Sequence, residues 1–142
     1  MKINVRNSQK DLPISSRGVR ALVRAVLAHL KAAHLEVSIY FVSTRRISQL
    51  HDDFFDDPTT TDCISFPLDE EHLGEVFICP RTAIDYAAAR QKDPFEEVSL
   101  YLIHGLLHCL GYDDLEPGAR RTMRKKEKIC MALIKRLDIK LR

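Results

Sequence analysis

His104 and His108 stand four residues apart, and two carboxylates follow them in the segment HGLLHCLGYDD that runs from His104 to Asp114. Residues i and i+4 share one face of a helix, so both imidazoles can reach a single metal ion. Gly111 lets such a helix stop and the chain turn back. A side chain three residues later then meets the same ion from another side. Two imidazoles, one carboxylate and an open fourth position are the donor set of a catalytic rather than a structural zinc site. Asp114 is the expected third ligand. Asp113 is its competitor, or an outer partner that steadies a ligand. One zinc ion per chain is the expected cofactor. An HxxxH pair alone is weak evidence, but this helix is otherwise apolar, and histidines in an apolar helix need partners.

The HxxxHxxGxxD spacing is also similar to that of zinc peptidases of the metzincin type, in which a glutamate directly after the first histidine is the general base. Gly105 holds that position here, so peptide hydrolysis lacks its base. The remaining histidines, His29, His34, His51 and His72, are scattered and read as surface or packing residues. Cys63, Cys79, Cys109 and Cys130 form no CxxC pair. They read as reduced thiols of a cytoplasmic protein, with Cys109 turned away from the histidine face.

Charge is unevenly distributed. Residues 117–142 carry ten Lys and Arg against Glu127 and Asp138, a net +8, whereas the rest of the chain nets −6. Such a basic segment is either a solvated amphipathic face or a footprint for a polyanion. Arg120, Arg121, Arg124, Lys125, Lys126 and Lys128 are the candidate contacts to RNA phosphates. No apolar run approaches the roughly 20 residues that cross a bilayer, and the first residues carry no export signal.

These residues need elements to position them. Residues 2–6 alternate as a strand does, and a helix is expected from Ser15 or Ser16 to about Ala33. A strand over 36–42 precedes a short helix from Ser43 or Thr44 to Phe55, and an acidic loop follows. CISFP and EVFICP read as two strands, each stopped by a proline, joined by a loop over LDEEHLG. Helices are expected over 81–92, over 94–110 with Pro94 in its first turn, and from Pro117 to Leu137. Met123, Cys130, Leu133, Ile134 and Leu137 are the expected buried face of the last helix. The 142 residues suit a single α/β (α+β) domain over 1–142, a small mixed sheet with helices and a central metal-binding helix.

The segment HGLLHCLGYDD resembles the HGxLHLxGYDH signature of the YbeY-type endoribonucleases that mature rRNA. Thr61-Asp62-Cys63-Ile64-Ser65-Phe66-Pro67 resembles the TDVLSFP strand of that family, and Gly74-Glu75-Val76-Phe77-Ile78 its GDI-type strand. The order of elements agrees along the whole chain. The resemblance implies a zincin-like metal helix beside a small mixed sheet. It implies a metal-dependent, single-strand-acting endoribonuclease that matures the 3′ end of the small-subunit rRNA and serves ribosome quality control. The partners it implies are rRNA, the small ribosomal subunit and ribosomal or assembly proteins. Two positions depart from the family pattern. Asp114 stands where the family has a third histidine, and a carboxylate oxygen is an acceptable zinc ligand. Phe55 falls where the family has a cleft arginine, and phenylalanine cannot hold a phosphate. An assembly factor that keeps the metal but has lost cleavage is therefore the alternative reading.

Overall fold

The computed structural model describes all residues, 1–142. Four strands form one mixed sheet: β1 (Lys2–Asn7), β2 (Glu36–Phe41), β3 (Cys63–Pro67) and β4 (His72–Ile78). Their order across the sheet is β1-β2-β4-β3. β1, β2 and β4 run parallel, and β3 returns antiparallel along β4, leaving its own outer edge unpaired. Five helices complete the domain: α1 (Ser16–His29), α2 (Thr44–Phe55), α3 (Pro80–Arg90), α4 (Pro94–Cys109) and α5 (Pro117–Arg136).

Alternation sorts the sheet into two faces. Val37, Ile39 and Phe41 of β2 point into the main core with Leu73, Val76 and Ile78 of β4. The phase slips between Leu73 and Val76 because β4 bulges where Glu36 and Ser38 meet His72 and Glu75. That slip, and a turn in which Asp69 Oδ1 accepts from the amides of Glu71 and His72, bring the start of β4 back to His72. The expected loop over LDEEHLG is thus shortened to its first four residues.

α4 lies against β3 and β4 and is flanked by α3, α5 and α1. Surrounded on nearly every side, it is apolar on nearly every side, and Val98, Leu102, Ile103, Leu106 and Leu107 have no exposed surface. Two of its non-apolar residues, His104 and His108, emerge at its C-terminal end. The opposite face of the sheet is covered only in part, by α2 through a small cluster centred on Ile47, Leu50 and Ile64.

Helix ends account for most departures from the expected boundaries. α1 stops at His29, four residues short of Ala33, because Lys31 adopts a left-handed φ of 56° and the Ala32 amide bonds the Leu27 carbonyl. α5 ends the same way at Asp138, φ 55°. Leu137 consequently turns outward and is exposed, and Leu133 is only half-buried. The buried stripe of α5 is instead Met123, Glu127, Cys130 and Ile134, and the carboxylate within it belongs to the site.

Candidate metal centre and its cleft

Sequence chemistry builds the end of α4. Asp93 caps its first turn by accepting from the Phe95 amide, and Pro94 occupies a position that needs no amide donor. At the far end Gly111 takes φ 98°, its amide bonds the His108 carbonyl, and the Tyr112 amide bonds the Leu107 carbonyl. This pair of bonds is a Schellman stop, and it reverses the chain within three residues. Asp113 then closes a second turn, its Oδ1 accepting from the Leu115 amide at 2.6 Å. Arg120 of α5 donates to the carbonyls of Asp114 and Leu115 and pins the loop from the other side.

The result brings three donors together. His104 Nε2 and His108 Nε2 are 3.1 Å apart. Asp114 Oδ2 lies 3.7 Å from the first and Asp114 Oδ1 3.7 Å from the second. All three donor groups fall within 4.8 Å of one another. Tetrahedral zinc with bonds of about 2.0–2.2 Å needs donor atoms about 3.4 Å apart, so this set fits such an ion. Asp113, occupied with its own turn, is not among the three.

Glu127 does what no sequence pattern assigned to it. Its Oε2 accepts from His104 Nδ1 at 2.6 Å, and Arg124 Nη1 donates to both its oxygens at 2.8 and 3.0 Å. Burial favours the protonated acid, but the bonds from His104 and Arg124 outweigh it and hold the carboxyl below its ordinary pKa. An ionised Glu127 can only accept, so the His104 proton sits on Nδ1 and Nε2 offers its lone pair to the donor cluster. For His108, burial, reinforced by the neighbouring His104, lowers the pKa against the pull of Asp114 and Asp113. A neutral imidazole is the ligating form. The signal for Glu127 in the sequence was a lone carboxylate on the apolar stripe of α5.

A cleft of about 360 Å³ opens beside the donors, between α4, the free edge of β3 and the end of α2. Thr61 and Ser65 line it, as does His51, expected from the sequence to be a surface or packing residue. His51 Nδ1 lies 3.1 Å from the Thr59 carbonyl. Cys63 also lines the cleft, but burial raises its pKa far above neutrality, so it remains a thiol. Cys109 points away, toward Gly74, and burial pushes it up to about 12. Phe55 forms part of the rim, and neither Arg45 nor Arg46 reaches the cleft.

Gly105 is where α4 touches the sheet. A Cβ there would stand 2.5 Å from Val76 Cγ1 and about 3 Å from Cys63 Sγ and Ser65 Oγ. The position of the peptidase base is therefore closed by packing as well as by residue type.

Of the basic candidates, Arg120, Arg121, Arg124, Lys125 and Lys128 line a single depression of about 450 Å³ on α5. Arg120 and Arg124 are already engaged by the donor loop and Glu127, whereas Arg121, Lys125 and Lys128 form no ion pair. Lys126 lies 6.0 Å from the Tyr112 ring.

Comparison with known proteins agrees with this architecture. The family model described as Endoribonuclease YbeY matches residues 4–135. A Protochlamydia amoebophila protein named Endoribonuclease YbeY is 46% identical over 143 residues, covering 96% of this chain and 95% of its own. A Chlamydia felis protein of the same name is 39% identical, covering 95% and 92%. The solution structure of a Thermotoga maritima protein superposes with a TM-score of 0.69 at 26% identity, over 93% of this chain and 88% of that one.

Proposed function

The chain belongs to the endoribonuclease YbeY family, and from that premise we propose that it is a metal-dependent endoribonuclease that cuts single-stranded RNA during rRNA processing. The single observation that carries the metal dependence is the convergence of His104, His108 and Asp114 with a buried Glu127 behind them. These three residues would hold the ion, and zinc is an ion that suits two imidazoles and a carboxylate. Such an ion supplies Lewis-acid chemistry, polarising a phosphoryl oxygen and acidifying a water.

The chain's own residues set up that chemistry. Glu127 fixes the tautomer and ring plane of His104, and Arg124 holds Glu127 in place. The Schellman stop and Arg120 hold the Asp114 carboxylate opposite the two imidazoles. The exposed rim of α5 offers Arg121, Lys125 and Lys128 to the phosphates of the strand, leaving base recognition to other surfaces. Cys63, held protonated, is no nucleophile. We place the substrate on the small ribosomal subunit or its precursor, with ribosomal or assembly proteins as neighbours, in a cytoplasm reducing enough to keep four free thiols. No helix is long and apolar enough to cross a membrane.

Elemental analysis of protein purified without chelator tests the centre. About one zinc per chain is expected, lost in both His104→Ala and Asp114→Ala. Cleavage of a single-stranded oligoribonucleotide by the loaded protein, abolished in the same variants, is the expected activity. A second reading, an assembly factor without cleavage, is favoured by one observation: no arginine stands in the cleft. Tight binding of the strand with no cleavage at any metal supplied would select it.

A further inference from the structure

Six phenylalanines occur in the chain, and only Phe54 and Phe55 are exposed, at 61% and 57%. Phe54 has a packing reason, since its ring lies 4.7 Å from that of Phe66 and covers the outer face of β3. Phe55 has none. It ends α2, its one aromatic neighbour is His51 at 5.3 Å in a tilted contact, and it sits on the rim of the cleft that holds His104 and His108. An aromatic ring kept in water at the mouth of a reaction site has a flat face to offer.

We propose that Phe55 is a stacking platform for one nucleobase of the single-stranded RNA, set beside the bond that His104, His108 and Asp114 address. This rests on the endoribonuclease reading and adds to it how the strand is gripped. Charge selects the occupant. Asp52, Asp53, Asp56 and Asp57 flank Phe55 in the chain at the end of α2, an acidic stretch that repels phosphates, so the α2 rim takes the uncharged part of a nucleotide. The cations lie on a different element, α5, where Arg120 and Arg124 connect the basic depression directly to the donor loop and Glu127. A strand crossing the site thus turns its backbone toward α5 and one base toward Phe55. Stacking needs an unpaired base that can be splayed out, which a single strand supplies and a duplex does not.

The test is equilibrium binding of a fluorescent single-stranded oligoribonucleotide to the zinc-loaded full chain, read by anisotropy before cleavage accumulates. Phe55→Ala is expected to weaken binding by about 5- to 150-fold, the worth of one stacked base. The salt dependence of affinity should stay unchanged, because no phosphate contact is lost. Phe55→Trp should restore affinity. The chain contains no tryptophan, so the new indole is also a unique reporter, and its fluorescence should be quenched as the strand binds. Phe55 is exposed, and its variants should melt with the unmodified chain. Equal affinity in Phe55→Ala, or a Phe55→Trp indole that binding leaves unquenched, would overturn the platform and leave the nuclease reading standing. An unmodified chain that does not bind the strand at all would overturn both.

Discussion

The convergence of His104, His108 and Asp114 could be read from spacing because helix periodicity and a glycine stop translate directly into a shared direction. Glu127 could not, because its partner lies 23 residues away and only packing of α5 against α4 brings them together. Removing its charge isolates its role. In Glu127→Gln the His104 tautomer is no longer enforced, and zinc affinity should fall by about 10–100-fold, measured by competition with a chromophoric chelator. Protonation gives a second residue-level outcome. His108 has a lowered pKa when folded, so the unfolded chain binds the proton more readily. The stability it contributes is present above the unfolded pKa of about 6.5 and is lost as pH falls through the folded value. Urea melts of metal-free protein should therefore show stability declining below about pH 6.5, with the decline reduced in His108→Asn. The thiols behave oppositely to reactive cysteines. With Cys109 pushed up to about 12 and Cys63 raised by burial, alkylation in the folded protein at neutral pH should be far slower than after denaturation.

Element boundaries were readable wherever a residue of special geometry marked them, as Pro94, Pro117 and Gly111 do. Two were displaced where an ordinary residue took the left-handed conformation, as Lys31 and Gln91 do, since nothing in those side chains announces it. The start of β4 was hidden for a related reason, because a bulge breaks the alternation on which the reading depends. Two glycines carry testable weight at this scale. Gly111→Ala forces a Cβ into φ 98° without any clash. It should cost about 1–2 kcal/mol and loosen Asp114, so that zinc affinity falls together with the melting temperature. Gly105→Ala gains about 1 kcal/mol of helix propensity, yet its Cβ meets Val76 at 2.5 Å, and overpacking costs about 1–3 kcal/mol. The clash should win, lowering Tm in a thermal melt.

Across the whole molecule, the +8 of residues 117–142 was plain in the sequence, but its meaning depended on where α5 lies. Packed beside α4, the helix turns Glu127 inward to His104 and leaves Arg121, Lys125 and Lys128 facing outward beside the same centre. No periodicity could have shown that one helix both bonds His104 through Glu127 and turns a row of cations outward. Each of Arg121→Gln, Lys125→Gln and Lys128→Gln should weaken RNA binding and reduce the slope of log affinity against log salt by about one phosphate contact. None of them should alter zinc content. Substitution of Arg124, in contrast, should disturb both readouts, because it reaches from that row into the centre.

The contact between Gly105 and Val76 has a bearing on how this centre can change over generations. Adding one carboxylate beside the first histidine looks, on paper, like a single mutational step toward peptide hydrolysis. In this fold the step meets an obstacle, since the Cβ of a glutamate at that position would stand 2.5 Å from Val76 Cγ1, and side chains of the sheet would have to shift first. The spacing between two layers therefore limits which residue can stand beside the first histidine, and a change there has to come with a change in what packs against it.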